Sequence, residues 1–355
     1  MHKKLFIPGP VEVRPDVLER MSGPMIGHRS SDASALQRRI SEKLMKVMFT
    51  GNQILLSTTS GSGLMEGAVR CCTGKRAAVF SVGAFGDRWY KMAVSNGVPA
   101  DRIDSEWGSP TTAEMVDQAL STGKYDLITV THNETSTGVM NPVEDISKVM
   151  KKHSEVIWCL DAVSSMGGTK IDVDELGVDV CIASTQKCLG LPPGMAVCSI
   201  SQKAIDAARQ VKNRGTYLDL VELYDYIRNK DYQYPSTPNL SLMYAMDYQL
   251  DRILEEGLET RFARHLRMAE KVRGWARGRF ALFAKEECLS NTLTTITNTG
   301  NTNISQLNKD LGARGYVISN GYGQLKDKTF RIAHMGDVTE AEISELLQEI
   351  DSLLQ

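Results

Sequence analysis

The amino-acid sequence predicts an α/β fold. A large domain with a mostly parallel sheet sandwiched by helices precedes a smaller C-terminal α+β domain. Three observations carry this. Short β-rich runs alternate with helix-period segments through the middle of the chain, as in sheets whose strands are joined by crossover helices. From about Leu258 the texture changes to a long charged amphipathic helix and short strands. The 355 residues, 42% apolar and 24% charged, suffice for a real core and more than one domain.

Element by element, the expected strands are Gln53–Ser57, Arg76–Val82, Tyr125–Thr131, Glu155–Leu160, Val178–Ser184 and Gly194–Ile200. Between them, Leu36, Ile40, Leu44 and Val47 share one helical face, and Asn141-Pro142 with Glu144 reads as the N-cap, first and third positions of another helix. Short strands are expected near Ala281, at Thr292–Thr297 and at Phe330–Met335, and Thr339 with Glu342 forms a capping box for a final helix. The expected division is an N-terminal segment, residues 1–20, that lines the active site, a large domain at 21–255 and a small domain at 256–355.

With 41 Lys and Arg against 43 Asp and Glu, the formal charge is −2. No basic stripe for nucleic acid and no polybasic membrane patch is expected. Leu5-Phe6-Ile7 is too short for a signal-peptide core before Pro8-Gly9-Pro10 interrupts it. The longest uncharged stretch, Cys288–Asn308, is rich in Thr and Asn and unsuited to a bilayer. Seven scattered cysteines without a CxxC spacing read as reduced thiols in a cytoplasmic protein rather than a disulfide framework or a metal site.

Three motifs carry chemistry. Ser60-Gly61-Ser62-Gly63 follows a strand and precedes a helical run from Leu64. Small residues at a helix N-terminus leave N–H groups free in a positive dipole end, which suits a phosphate, although a tight turn made only for packing has the same composition. Glu66 stands where a dinucleotide fingerprint needs glycine, and no P-loop lysine follows. Asp161 ends the apolar run Val156–Leu160, where open α/β sheets place ligand contacts; a turn-forming aspartate is the plainer alternative. Lys187 ends Asp179–Gln186 and faces the Gly190–Gly194 loop. A lysine so placed sheds its proton readily and forms Schiff bases, a solvating charge being the other reading. Together, cradle, carboxylate and lysine are the anchors that pyridoxal phosphate requires.

In chain order, Pro8-Gly9-Pro10, Met25-Ile26-Gly27-His28-Arg29-Ser30, Ser60-Gly61-Ser62-Gly63, Thr131–Gly138, Asp161-Ala162-Val163-Ser164-Ser165, Ser184–Gly194 and Phe330-Arg331-Ile332 resemble the class V aminotransferases of fold type I, near the alanine–glyoxylate and serine–pyruvate aminotransferases. The resemblance implies pyridoxal 5′-phosphate as cofactor, with Lys187 as its covalent anchor and proton carrier and Asp161 paired to the ring nitrogen. It implies Ser62, Gly63 and Leu64 on the phosphate, Phe85 stacked on the ring where relatives often carry Trp, Thr135 near the ring oxygen, and Gln186 beside the lysine. Tyr234 and Thr237 resemble a segment that reaches a neighbour's phosphate across a homodimer interface. Arg331 matches the arginine that grips the substrate carboxylate, a task for its bidentate fork. Gly9, Gly27 and His28 outline a small substrate pocket, with His28 either a substrate contact or a structural histidine.

The expected activity is ping-pong transfer of an amino group from alanine or serine to glyoxylate or pyruvate. Phosphoserine, aspartate or ureidoglycine are the alternative donors. His28 with Arg29 could meet an extra anionic group on such a donor. A desulfurase would want a cysteine in the loop before Arg331, and residues 320–328 contain none. A nucleotide-binding oxidoreductase rests on the glycines alone. No metal, nucleic acid or membrane partner is expected.

Overall fold

Apolar runs such as Ile157-Trp158-Cys159-Leu160 alternate their side chains between two covered faces, and this decides the architecture. Trp158 and Leu160 enter one core, while Ile157 and Cys159 enter another. The structure, a computed structural model, describes residues 2–354.

The chain begins with β1 (Lys4–Phe6), α1 (Pro15–Arg20), α2 (Ser31–Val47), β2 (Gln53–Ser57), α3 (Gly61–Cys72), β3 (Ala77–Ser81) and α4 (Ala84–Ser95). It continues through β4 (Ala100–Asp104), α5 (Ala113–Leu120), β5 (Leu127–Thr131), the hairpin β6 (Asn133–Glu134) and β7 (Val139–Met140), α6 (Val143–Met150) and β8 (Ile157–Asp161). Then come α7 (Val173–Leu176), β9 (Val180–Ser184), β10 (Ala196–Ile200), α8 (Gln202–Gln210), α9 (Leu220–Asn229) and α10 (Leu240–Glu256). Last are α11 (Leu258–Arg277), β11 (Ala281–Leu282), β12 (Leu293–Thr297), α12 (Ile304–Ala313), β13 (Tyr316–Asn320), β14 (Thr329–Ala333) and α13 (Glu340–Leu353).

Among the described residues, seven strands form one sheet in the order β2-β10-β9-β8-β5-β3-β4. All run parallel except β10, which is antiparallel to both neighbours. One face packs on α2, α5, α6 and α10 through Ile40, Val116, Ile146 and Met246, and the other on α3, α4, α8 and α9 through Val69, Trp89, Ile205 and Leu223. A second sheet, β1-β13-β14-β12-β11, packs Phe6, Ile296, Phe330 and Ile332 against α11, α12 and α13.

The six strands expected in the central sheet are present, trimmed by up to two residues at an end. The sequence pattern does not single out β1, β4 or β13. β4 is an edge strand whose Asp101, Arg102 and Asp104 read as loop. β1 gains its conformation only by parallel pairing with β13, more than three hundred residues away (Lys4↔Tyr316). The Asn141 cap is corrected. α6 starts after Pro142 without a side-chain cap, because the Asn141 amide is spent elsewhere: it accepts the Thr111 N–H at 2.7 Å and donates to the Thr131 carbonyl at 2.6 Å. The Thr339–Glu342 capping box of α13 is present.

One buried cation ties the sheets to the loops between them. Arg261 of α11, fully buried, donates to the Gly167 carbonyl (3.0 Å) and the Cys188 carbonyl (2.7 Å), and it pairs with Glu256 (2.7 Å) and Asp337 (3.0 Å). It therefore fixes the turn after β8 and the loop after β9 at once. Breaking a buried pair by removing one partner costs about 3–5 kcal/mol. Arg261→Ala is expected to lose stability in that range in urea unfolding, and a loss of about 1 kcal/mol or less would show the network to be dispensable.

Candidate active site

The C-terminal ends of β5, β8 and β9 lie side by side, with Thr131 opposite Asp161 and Asp161 opposite Ile182. Parallel strands deliver their following loops to one edge, where α/β sheets hold ligands. Asp161 is buried; its Oδ1 accepts the Val163 N–H at 2.9 Å and its Oδ2 the Trp89 indole N–H at 3.3 Å. Burial pushes its carboxyl up from the ordinary value, and the two donated bonds pull the other way.

Lys187 sits in the loop after β9. The Thr185 hydroxyl closes this loop onto the Pro192 (2.7 Å) and Met195 (3.0 Å) carbonyls. The Lys187 amine donates to the Pro8 carbonyl, and burial pulls it down to about 8. Gly9 stands against it at φ +93°, and a Cβ there would lie 2.6 Å from Nζ. Only glycine suits both the backbone and the space.

α3 begins beside this lysine. The Gly61 N–H donates to Ser184 Oγ (3.1 Å), whose hydroxyl donates to Gln186 Oε1 (2.9 Å), so Gln186 links the helix to the lysine loop. Ser62 Oγ accepts Arg88 Nη1 at 3.1 Å. Gly63 packs on Thr59, where a Cβ would meet Oγ1 at 2.6 Å. Leu64 buries its side chain in the core, so only its backbone faces the cradle.

Phe85 lies in the first turn of α4, its ring centroid 5.7 Å from that of Tyr322. Glu134 sets its place. This buried carboxylate accepts the N–H groups of Phe85 (3.0 Å) and Gly86 (3.1 Å) on one oxygen and both donors of Ser136 on the other. It thus caps a helix whose own N-cap, Gly83, has no side chain to offer. Burial raises its pKa while the donated bonds oppose the shift. Thr135 donates its hydroxyl to Ser164 Oγ at 3.0 Å. Arg331 spends Nε and Nη2 on the Asn320 carbonyl and Nη1 on that of Thr135, and burial lowers it to about 10.

Not every expected residue joins this group. Gly27 and His28 precede α2, where Gly27 is exposed and His28 makes no hydrogen bond among the described residues. Neighbouring Arg29 is committed to the Tyr234 and Pro235 carbonyls. Tyr234 is seated within its own chain, buried, with its hydroxyl accepting the Thr58 N–H at 3.2 Å. Thr237 is exposed.

The description Aminotransferase class-V matches residues 68–318. The chain belongs to the class-V aminotransferase family. An uncharacterised aminotransferase of Methanocaldococcus jannaschii is 38% identical over 99% of this chain and 93% of its own length. A serine–glyoxylate aminotransferase of Arabidopsis thaliana is 31% identical over 99% of this chain and 90% of its own. The solved structure of an alanine–glyoxylate aminotransferase from Nostoc sp. matches with a TM-score of 0.94 at 27% identity, over 100% of this chain and 96% of that one.

The protein is accordingly a transaminase of fold type I that uses pyridoxal 5′-phosphate. The residues present fit that group. Among the described residues, Asp161, Lys187 and Arg331 make no ion pair with one another or with any other side chain, so a buried anion, a buried guanidinium and a half-buried amine are left to meet charges of a bound molecule. Three neighbours escape a reading of the sequence: Glu134, Trp89 and Arg88. Trp89 looks like plain core, and Glu134 lies inside a recognised segment without an evident task. Arg88 carries a usable signal, three residues after Phe85 and hence on the same helical face.

If Lys187 is the amine that captures the cofactor, capture needs it neutral. With that amine near 8 rather than 10.5, the capture rate of the apoprotein should climb about tenfold per pH unit below about 8 and level above it. Stopped-flow absorbance measures this, and a rate still climbing well beyond that point would contradict the assigned environment. Gly9→Ala should slow capture at every pH, because its Cβ occupies the space of the amine.

Proposed function

We propose that this transaminase moves the amino group of a small amino acid, alanine or serine, to glyoxylate or pyruvate in two half-reactions through one site. The observation that carries the reading is the approach of the Gly9 backbone to Lys187, which walls the reacting amine closely, with the buried guanidinium of Arg331 also in the site. Arg331 would hold the substrate carboxylate in its fork, since no side-chain carboxylate competes for it. Lys187, near 8, suits a group that takes a proton from the substrate α-carbon and returns it near neutral pH. Asp161 would hold a positive ring nitrogen, with Trp89 and Val163 orienting its two oxygens. Pyridoxal phosphate, when bound, supplies the electron sink that makes the α-proton removable.

Ser62, Gly63 and Leu64 at the start of α3 belong to this proposal as the phosphate end, as do Gln186 beside the lysine and Phe85 and Thr135 beside the ring. A desulfurase reading is disfavoured by Cys288, buried with its thiol on the Gly108 and Lys285 carbonyls, and by Cys188, whose thiol burial pushes up to about 12. The same proposal includes the division near residue 255, the N-terminal segment as a wall of the site, and a homodimer in which exposed Thr237 meets the neighbouring site. Among the described residues no helix is long and apolar enough to cross a membrane. Seven buried free thiols fit a cytoplasmic, reducing setting.

Lys187→Ala should abolish turnover, and borohydride trapping should place the cofactor on the peptide that carries Lys187. Asp161→Asn should keep the fold and lower kcat by about 10²–10⁴-fold or more. A donor-by-acceptor screen should give the highest kcat/KM with alanine or serine and glyoxylate or pyruvate; a maximum with aspartate, phosphoserine or ureidoglycine rejects the pair. Mixed Lys187→Ala and Tyr234→Phe/Thr237→Ala subunits should recover activity if sites are shared. A fully active monomer in sedimentation at assay concentration rules sharing out.

A further inference from the structure

Arg88 is the one charged side chain of this site without an assignment. On α4 it lies one turn after Phe85, with its guanidinium 4.6 Å from the Phe85 ring centroid. One prong, Nη1, donates to Ser62 Oγ at 3.1 Å, and the other, Nη2, to the Tyr322 hydroxyl at 3.3 Å. No carboxylate pairs with it among the described residues. The adjacent Asp87 is turned to Ser81 Oγ (2.9 Å) and Arg102 (3.2 Å). Arg70, the other arginine near α3, faces Glu66 on the far end of that helix.

The donors assigned to the phosphate end are all neutral: the Ser62 hydroxyl and the backbone of Gly63 and Leu64. A helix N-terminus contributes about half a positive charge, which leaves most of a phosphate dianion unbalanced in a partly buried place. A guanidinium that shares a hydroxyl with that cradle adds a full positive charge to that half and so offsets most of the dianion. Its hydrogen bond also has a direction. Ser62 Oγ accepts from Arg88, so the hydroxyl's single hydrogen must point elsewhere, and the bond received makes it a stronger donor. Tyr322 holds the second prong, so the guanidinium is anchored rather than free to swing to solvent.

We propose that Arg88 is the charge-balancing positioning residue of the phosphate cradle, acting on the cofactor's phosphate through the hydroxyl of Ser62. This rests on the reading of Ser62 as a phosphate ligand, and the two stand or fall separately in one set of measurements. Apoprotein is titrated with pyridoxal 5′-phosphate and with pyridoxal, which lacks the phosphate, and binding is followed by absorbance. The proteins are the wild type, Arg88→Gln, Arg88→Lys, Ser62→Ala and the Arg88→Gln/Ser62→Ala double variant.

Arg88→Gln is expected to weaken pyridoxal phosphate binding at least about tenfold, the scale of a hydrogen bond to a charged group. It should leave pyridoxal binding unchanged, which also reports an intact fold and an intact Lys187. Arg88→Lys should restore part of the loss. In the Ser62→Ala background the Arg88→Gln effect should shrink, because its route is gone. Equal losses for both ligands in Arg88→Gln would show a merely structural role through Phe85 and Tyr322 and overturn the proposal. An Arg88→Gln effect of full size in the double variant would overturn the route through Ser62. Unchanged pyridoxal phosphate binding in Ser62→Ala would overturn the ligand reading itself, and the route with it.

Discussion

A carboxylate, an amine and a guanidinium each lose several kcal/mol of hydration on burial unless something replaces the water. At this site Asp161 and Arg331 are buried and Lys187 is half-buried close to them, yet neutral dipoles rather than opposite charges answer each of them. Two N–H groups face Asp161, the Pro8 carbonyl faces Lys187, and the Asn320 and Thr135 carbonyls face Arg331. Direct pairing would relieve the cost but would use up the charges needed for cofactor and substrate. The rest of the molecule keeps them apart. The parallel register of β5, β8 and β9 places Asp161, the Arg261 network anchors the loop that carries Lys187, and the second sheet holds Arg331 on β14.

The aromatic wall obeys the same logic. Phe85 is set by the N-terminus of α4, whose free N–H groups need an acceptor in a place water does not reach. Glu134 supplies it from the β6–β7 hairpin, and the turn of that hairpin also carries Thr135. One carboxylate therefore couples Phe85 to the threonine and, through the Thr135 carbonyl, to Arg331. The helix dipole and the buried anion stabilise each other, so that coupling is rigid.

Much of this was legible in the sequence because it depends on local pattern. Continuous apolar runs marked the central strands, and a charged residue at the end of such a run, Asp161, announced a ligand edge. A lysine between an apolar strand and a Gly/Pro loop stood out similarly. What stayed hidden depends on partners far along the chain. β4 is charged because it is an edge, and β1 exists only by pairing with β13. Asn141 has the composition of a cap, but a buried backbone donor at Thr111 competed for its amide and won. The tasks of Glu134 and Arg261 follow from what tertiary packing leaves unsatisfied, which no window of sequence contains.

The pairing of β1 with β13 has a consequence for how the protein is made. The strand at Lys4–Phe6 and the Pro8–Gly9 turn that touches Lys187 leave the ribosome before any strand of the central sheet, while β13 and β14 emerge after all of them. The central sheet can collapse during synthesis, as domains commonly do in order of emergence. The wall around Lys187 cannot close until the late strands arrive to receive the early one. Between the emergence of β10 and that of β13 the nascent chain carries the strands of the central sheet, Lys187 on its edge, and β1 without its partner. Closure of the loop between the first and last strands is then a late event in maturation, and it turns a half-open lysine into an enclosed one.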